Sequence, residues 1–241
     1  MRVSCWSMSG AALLLSACGS EPTAAPAPEL TASAPTASAP AAQAETAGPQ
    51  VNVLAFGDSL FAGYGLASPA QSYPAQLEQA LRADGRNVRI VNAGVSGDTT
   101  AAGRQRLAFT LDSQAAKPDL VLLELGGNDL LRGLPPEQTR ANLDAMLAEL
   151  KKRKIPVVLM GLQAPPNYGS TFLRQFDAIY PDLAKTYDAT LVPFVTAQVF
   201  TNPKLIQPDR VHPTAEGVAV LVKATGDAVA DALPQPAPAA N

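Results

Sequence analysis

Val51-Asn52-Val53-Leu54-Ala55-Phe56-Gly57-Asp58-Ser59-Leu60 is the stretch whose reading decides the architecture. Val51, Val53, Leu54 and Phe56 are the β-branched, aliphatic and aromatic types that suit a buried strand. Gly57-Asp58-Ser59 is turn chemistry, so the run predicts a strand that opens into a loop at Ser59. In a parallel α/β sheet, ligands bind beyond the carboxyl ends of the strands. A hydroxyl delivered there is a candidate nucleophile. The plainer use of Asp58 and Ser59 is to cap the segment that follows.

Working outward, strand-like and helix-like segments alternate. Residues 73–83 place Leu77 and Leu81 four apart and predict a helix. Residues 88–91 predict a short strand ending at Asn92-Ala93-Gly94, and 99–111 a helix. Residues 120–125 predict an apolar strand ending at Gly126-Gly127-Asn128-Asp129. The clearest helix is 137–152, with Leu143, Met146, Leu147 and Leu150 on one face and Pro135-Pro136 suited to its start. A strand at 156–162, a helical pattern at 172–187 that Pro181 should kink or split, a strand at 190–192 and a helix at 214–233 complete the order. Apolar strands separated by helices imply an α/β fold with a parallel sheet covered on both faces. Right-handed crossovers put every strand's carboxyl end on one edge. Ser59, Gly94 and Asn128 should therefore gather in one cleft.

The chain has 241 residues and a net charge of −3, with both signs interspersed. No basic block suggests nucleic acid. Both cysteines, Cys5 and Cys18, precede residue 51. The domain at 51–233 thus has no disulfide, thiolate nucleophile or cysteine-ligated metal. His212 is the single histidine, so a His-rich metal site is excluded and any imidazole chemistry falls to it.

Residues 1–17 read as a signal peptide, with Arg2 before the apolar run Ala11-Ala12-Leu13-Leu14-Leu15. That run is shorter than the ~20 residues of a membrane-spanning helix. Leu15-Ser16-Ala17-Cys18 resembles a bacterial lipobox, which implies lipidation of Cys18 and membrane anchoring; ordinary secretion with a chance cysteine is the alternative. Gly19 after that cysteine resembles outer-membrane sorting, so the expected location is a membrane-anchored lipoprotein facing the periplasm. Residues 18–50 are Ala/Pro-rich and without apolar periodicity, a disordered tether reaching ~30 Å as a coil and ~100 Å extended. Residues 234–241 form a disordered tail.

A neutral hydroxyl is a poor nucleophile, so Ser59 needs a base. Imidazole suits that task near neutral pH. In Pro208-Asp209-Arg210-Val211-His212-Pro213, Asp209 lies three residues before His212, a spacing at which one turn brings carboxylate and ring together. Asp209 would fix the tautomer and leave the other ring nitrogen to Ser59. Otherwise His212 would merely cap the last helix, with Pro213 at its first turn. Acyl transfer also needs donors for the oxyanion. The backbone N–H groups of Ser59 and Gly94 and the Asn128 amide fit that need, each worth ~10²–10³ in rate.

Gly57-Asp58-Ser59-Leu60, Asn92-Ala93-Gly94, Gly126-Gly127-Asn128-Asp129 and Asp209-Arg210-Val211-His212 together resemble the four motif blocks of the SGNH, or GDSL, hydrolase family. Phe61 stands where a Gly-x-Ser-x-Gly elbow would need its last glycine, which argues against an α/β-hydrolase. Ser96-Gly97-Asp98-Thr99, Arg132-Gly133 and Pro166-Asn167-Tyr168-Gly169 are similar to the branch of thioesterase I/protease I/lysophospholipase and the bacterial arylesterases. The resemblance implies a flavodoxin-like three-layer α/β/α fold with a five-stranded parallel sheet and no cofactor. It implies Ser59 as nucleophile, His212 as base, Asp209 as its orienter, and Ser59, Gly94 and Asn128 as the oxyanion hole. The expected activity is hydrolysis of acyl esters or thioesters through an acyl-enzyme, by a monomer. Apolar loops holding Leu130, Leu131 and Leu134, and Ala164, Pro165, Pro166, Asn167 and Tyr168, would line an acyl groove. The alternatives are a carbohydrate O-acetylesterase and a non-catalytic envelope-binding lipoprotein.

Overall fold

The computed structural model describes residues 48–195 and 197–234. The expected signal peptide, Cys18, most of the tether and most of the tail lie outside the described residues.

Strand β1 (Val51–Phe56) is followed by α1 (Ser59–Ala62) and α2 (Tyr73–Ala83). Then come β2 (Val88–Asn92), α3 (Thr100–Asp112), β3 (Leu120–Leu123), α4 (Gly127–Leu131) and α5 (Pro136–Lys152). The second half holds β4 (Val157–Gly161), α6 (Ser170–Asp177), α7 (Ile179–Tyr187), β5 (Thr190–Pro193), α8 (Ala197–Phe200) and α9 (Ala215–Ala232). All strand pairs are parallel, in the order β2-β1-β3-β4-β5. This is the flavodoxin-like order, whose ligand crevice lies where the winding reverses, beside β1.

The central strands carry the core. Val53 to Phe56 of β1 and all of β3 are buried, as expected for strands covered on both faces. Helices α2 and α9 pack together on one side, and α3, α5 and α7 pack in series on the other. Tyr73 and Thr225 join α2 to α9 by a buried hydroxyl–hydroxyl hydrogen bond of 2.7 Å. Phe61, Tyr73 and Phe194 form an aromatic cluster beneath the nucleophile turn, with ring centroids 4.8–5.8 Å apart.

Three details depart from the sequence reading. Ser59 begins a short helix instead of a loop, because Asp58 Oδ1 accepts the Leu60 N–H at 3.0 Å and caps it. The expected strand at 120–125 ends at Leu123, and Glu124-Leu125 leads into the turn before α4. The 172–187 pattern does split, but at Ala178, and Pro181 sits in the first turn of α7. Proline is tolerated in a first turn, where its missing N–H leaves no helical bond broken.

Candidate active site

The first two elements of the site are the end of β1 and the turn between β5 and α9. Ser59 Oγ lies 2.9 Å from His212 Nε2, and His212 Nδ1 lies 2.7 Å from Asp209 Oδ2. With an ionised carboxylate accepting, Nδ1 carries the proton and Nε2 accepts from the serine hydroxyl. Asp209 Oδ1 meanwhile accepts the backbone N–H groups of Val211 at 2.9 Å and His212 at 3.0 Å. Arg210 takes a left-handed conformation, φ 60°, to close this turn. Partial burial opposes the Asp209 charge. The His212 side chain, then the two N–H bonds, outweigh it and hold the carboxyl at about 2. Asp209 is therefore ionised at neutral pH.

The turn is pinned from both sides. Gln207 N–H donates to His212 C=O at 2.8 Å, and Gln207 Nε2 donates to Tyr64 C=O at 2.8 Å and Pro213 C=O at 2.9 Å. The Tyr64 ring lies 4.6 Å from the His212 ring, tilted by 40°. His212 is no helix cap: Thr214 caps α9, its Oγ1 accepting the Gly217 N–H at 3.2 Å.

Asn128, the second residue of α4, reaches the same place. Its Nδ2 donates to Asp58 Oδ2 at 3.0 Å and to Asp98 C=O at 3.0 Å. Asp98 is in turn paired with Arg106 at 2.5 Å, and Arg106 also donates to Gly57 C=O at 2.9 Å. The loop after β2 is thus fastened to the nucleophile turn.

Gly94 differs from its expected part. Its N–H donates to Asn92 Oδ1 at 2.9 Å, so it is not turned to the cleft. Its missing side chain serves packing: a Cβ there would stand 2.8 Å from Asp58 O and 2.9 Å from Phe61 C, inside the backbone of α1. Gly97, three residues on, is exposed, and its N–H has no acceptor among the described residues. Gly97 C=O accepts from Arg132 Nη2 at 2.8 Å, and the next residue, Asp98, touches Asn128. The expected oxyanion set therefore needs correcting at Gly94.

Of the expected acyl-groove residues, Leu131 is 56% exposed beside Asn128. Leu134 is half-buried, and its N–H donates to Asp129 C=O at 2.9 Å. Pro166 and Asn167 are exposed in a 3₁₀ turn with Tyr168. The Tyr168 hydroxyl donates to Leu130 C=O at 2.8 Å, which places the two loops side by side. Leu130 and Ala164 are buried.

Sequence reading did not assign roles to Tyr64, Arg106, Gly97 and Glu124. Two of them left a signal: Gly97 lies in the motif Ser96-Gly97-Asp98-Thr99, and Glu124 is an acid at the end of the apolar run Leu120 to Leu125. Among the described residues, no group of three or more His, Cys, Asp and Glu side chains is placed to hold a metal ion, and no helix is long and apolar enough to cross a membrane.

Comparison with known proteins places these features in a lineage. A family model described as the GDSL-like lipase/acylhydrolase family matches residues 55–220. An arylesterase of Vibrio mimicus is 42% identical over 164 residues, 68% of this chain and 80% of the relative. The thioesterase 1/protease 1/lysophospholipase L1 of Escherichia coli is 40% identical over 164 residues, covering 68% and 76%. The crystal structure of AlinE4, an SGNH-hydrolase family esterase, superposes with a TM-score of 0.65 at 62% identity, over 78% of this chain and all of that one.

Proposed function

Because the chain belongs to the GDSL-like lipase/acylhydrolase family, we propose that it is a serine esterase and thioesterase in which Ser59, His212 and Asp209 hydrolyse acyl esters through an acyl-enzyme. The observation that carries this reading is the unbroken relay from Ser59 Oγ through His212 to Asp209.

The steps follow from the geometry. His212 Nε2 takes the Ser59 proton as Oγ attacks the acyl carbonyl, and Asp209 steadies the imidazolium. The same proton then goes to the leaving alcohol or thiol. A water, deprotonated by Nε2, attacks the acyl-enzyme, and Ser59 regains its proton as the carboxylic acid departs. The oxyanion is held by the Ser59 N–H and Asn128 Nδ2, with the free Gly97 N–H taking the part expected of Gly94. An oxyanion at Asn128 replaces the Asp98 carbonyl as partner of one amide hydrogen.

Leu131 and the loop joined by Tyr168 support an alkyl chain as the acyl group. Each buried methylene contributes up to ~0.8 kcal/mol, so six added methylenes raise kcat/KM by at most ~10³-fold. The exposure of Leu131 puts the expected gain below that ceiling. The test is kcat/KM for p-nitrophenyl esters and acyl thioesters from acetyl to palmitoyl. A rise to a medium-chain optimum is expected for both series. A steady fall from acetyl onward points instead to a carbohydrate O-acetylesterase. Lysophospholipids belong to the same substrate class, and their hydrolysis is a further arm of the assay.

We propose further that Cys18 carries a lipid anchoring the protein to a membrane facing the periplasm. Leu15-Ser16-Ala17-Cys18 and the Ala/Pro-rich residues after it support this. Cys18→Ala is expected to move the protein from the membrane to the soluble fraction with unchanged specific activity. Recovery of the variant in membranes at wild-type levels overturns the anchor.

A further inference from the structure

Glu124 has no part in the reaction as written, yet it is fully buried behind the nucleophile. Its Oε2 accepts the Asp58 N–H at 3.2 Å, and its Oε1 has no partner among the described residues. The room for it comes from Gly57, where a Cβ would stand 2.8 Å from both Glu124 Oε2 and Glu124 O. Asp58 is itself buried, and the bond from its N–H to Glu124 Oε2 sets the two buried acids side by side. Asp58 Oδ1 accepts the Leu60 N–H at 3.0 Å and Oδ2 accepts from Asn128 at 3.0 Å, with Ser59 Oγ 3.5 Å from Oδ1. Two buried carboxyls in contact do not both ionise, so the pair holds a proton.

We propose that Glu124 is a positioning residue that stays protonated, and that its acid hydrogen bond to the Asp58 carboxylate holds the Ser59 turn and the Asn128 amide in reacting geometry. Asp58 is the member with the better claim to the charge. It has donors from Leu60 and Asn128 and faces His212, whereas Glu124 has one backbone N–H and a bare oxygen. Burial first, and the Asp58 charge second, push Glu124 well above the usual carboxylate range. Burial also raises Asp58, while Leu60, Glu124, Asn128 and His212 hold it back.

Among the described residues, no cation is paired with Glu124. From α7, the Tyr180 hydroxyl donates to Leu125 C=O at 2.9 Å, and burial with the nearby acids keeps it protonated. From α4, Asp129 is taken up by Thr100 and Thr139. From α3, Arg106 is spent on Asp98 and Gly57 C=O. Deprotonating Glu124 would set two like charges behind Ser59, with no partner to separate them.

The proposal rests on Ser59 as nucleophile for its effect on rate, but the proton is tested without turnover. Infrared difference spectra of Ser59→Ala protein at neutral pH are expected to show the C=O band of a protonated carboxylic acid, lost in Ser59→Ala/Glu124→Gln. Glu124→Leu, which removes the donor and fills the space, is expected to lower kcat about tenfold or more with little change in KM. Glu124→Gln, which keeps the side chain's shape and supplies a neutral donor, is expected to restore kcat to within about threefold of wild type. Absence of the band overturns the proposal, as does a folded Glu124→Leu protein with wild-type kcat. Should Glu124→Leu fail to fold, the band and the glutamine variant decide. A glutamine variant as poor as Ser59→Ala would show that the site needs a charge at residue 124.

Discussion

Ser59→Ala is expected to lower kcat by ~10⁴-fold or more, with thermal unfolding nearly unchanged. The size follows from triads acting as units: without the nucleophile, the base and its orienter have nothing to activate. The residual rate, ~10³–10⁴ above water, comes from the oxyanion donors and substrate binding alone. Stability is spared because the helix cap is Asp58, whose Oδ1 still accepts the Leu60 N–H after the change. The hydroxyl removed bonds to His212 at 2.9 Å and makes only a long contact of 3.5 Å with Asp58 Oδ1. Stopped assays with a medium-chain p-nitrophenyl ester, paired with a thermal melt, measure both halves. A variant keeping more than about a hundredth of wild-type kcat would exclude Ser59 as the nucleophile.

Asp209→Asn is expected to cost ~10⁴-fold in kcat for a different reason. An asparagine amide facing His212 Nδ1 presents a donor where the carboxylate accepts. The ring then adopts the tautomer with its proton on Nε2, and Nε2 no longer accepts from Ser59. In wild type, kcat/KM falls as pH is lowered because the imidazole gains a proton. Asp209, held at about 2, stays ionised throughout, so the acid limb has a slope of one proton. The sign for stability runs the same way. A carboxyl depressed below its unfolded value stabilises the fold above that value, and the benefit is lost as pH falls toward about 2. Its side chain is 39% exposed, so solvent screens that contribution and the main effect is on rate. A pH profile of wild type showing a two-proton acid limb, or an Asp209→Asn variant within tenfold of wild type, would contradict this assignment.

The parts that follow from local pattern were legible in the sequence. The apolar runs at Val51 and Leu120 read directly as covered strands, and Asp209 with His212 read as one turn, because their partners are close along the chain. Ser59, Asn128 and His212 could be gathered without coordinates, since parallel strands leave their carboxyl ends on one edge. What stayed hidden depends on direction. Gly94 and Gly97 look alike in a loop, and only the Asn92 side chain shows which N–H is already taken. Tyr64 contacts His212 across most of the chain. Pro181 was visible as a breaker, but sequence does not tell a helix interior from a first turn, and α7 begins just before it.

Ser59 and His212 stand 153 residues apart, one near each end of the domain, and the Tyr73–Thr225 bond closes α2 onto α9 across a similar span. Such distant partners bear the loop-closure cost of most of the domain, so their contact belongs late in folding. As the polypeptide emerges from its amino end, β1 and the serine come first and wait for everything else. Until α9 is docked, Ser59 has no base and is an ordinary alcohol. Hydrolytic power therefore arrives in one step, with the last helix, and a chain caught unfinished or unfolded is chemically harmless to the acyl esters around it.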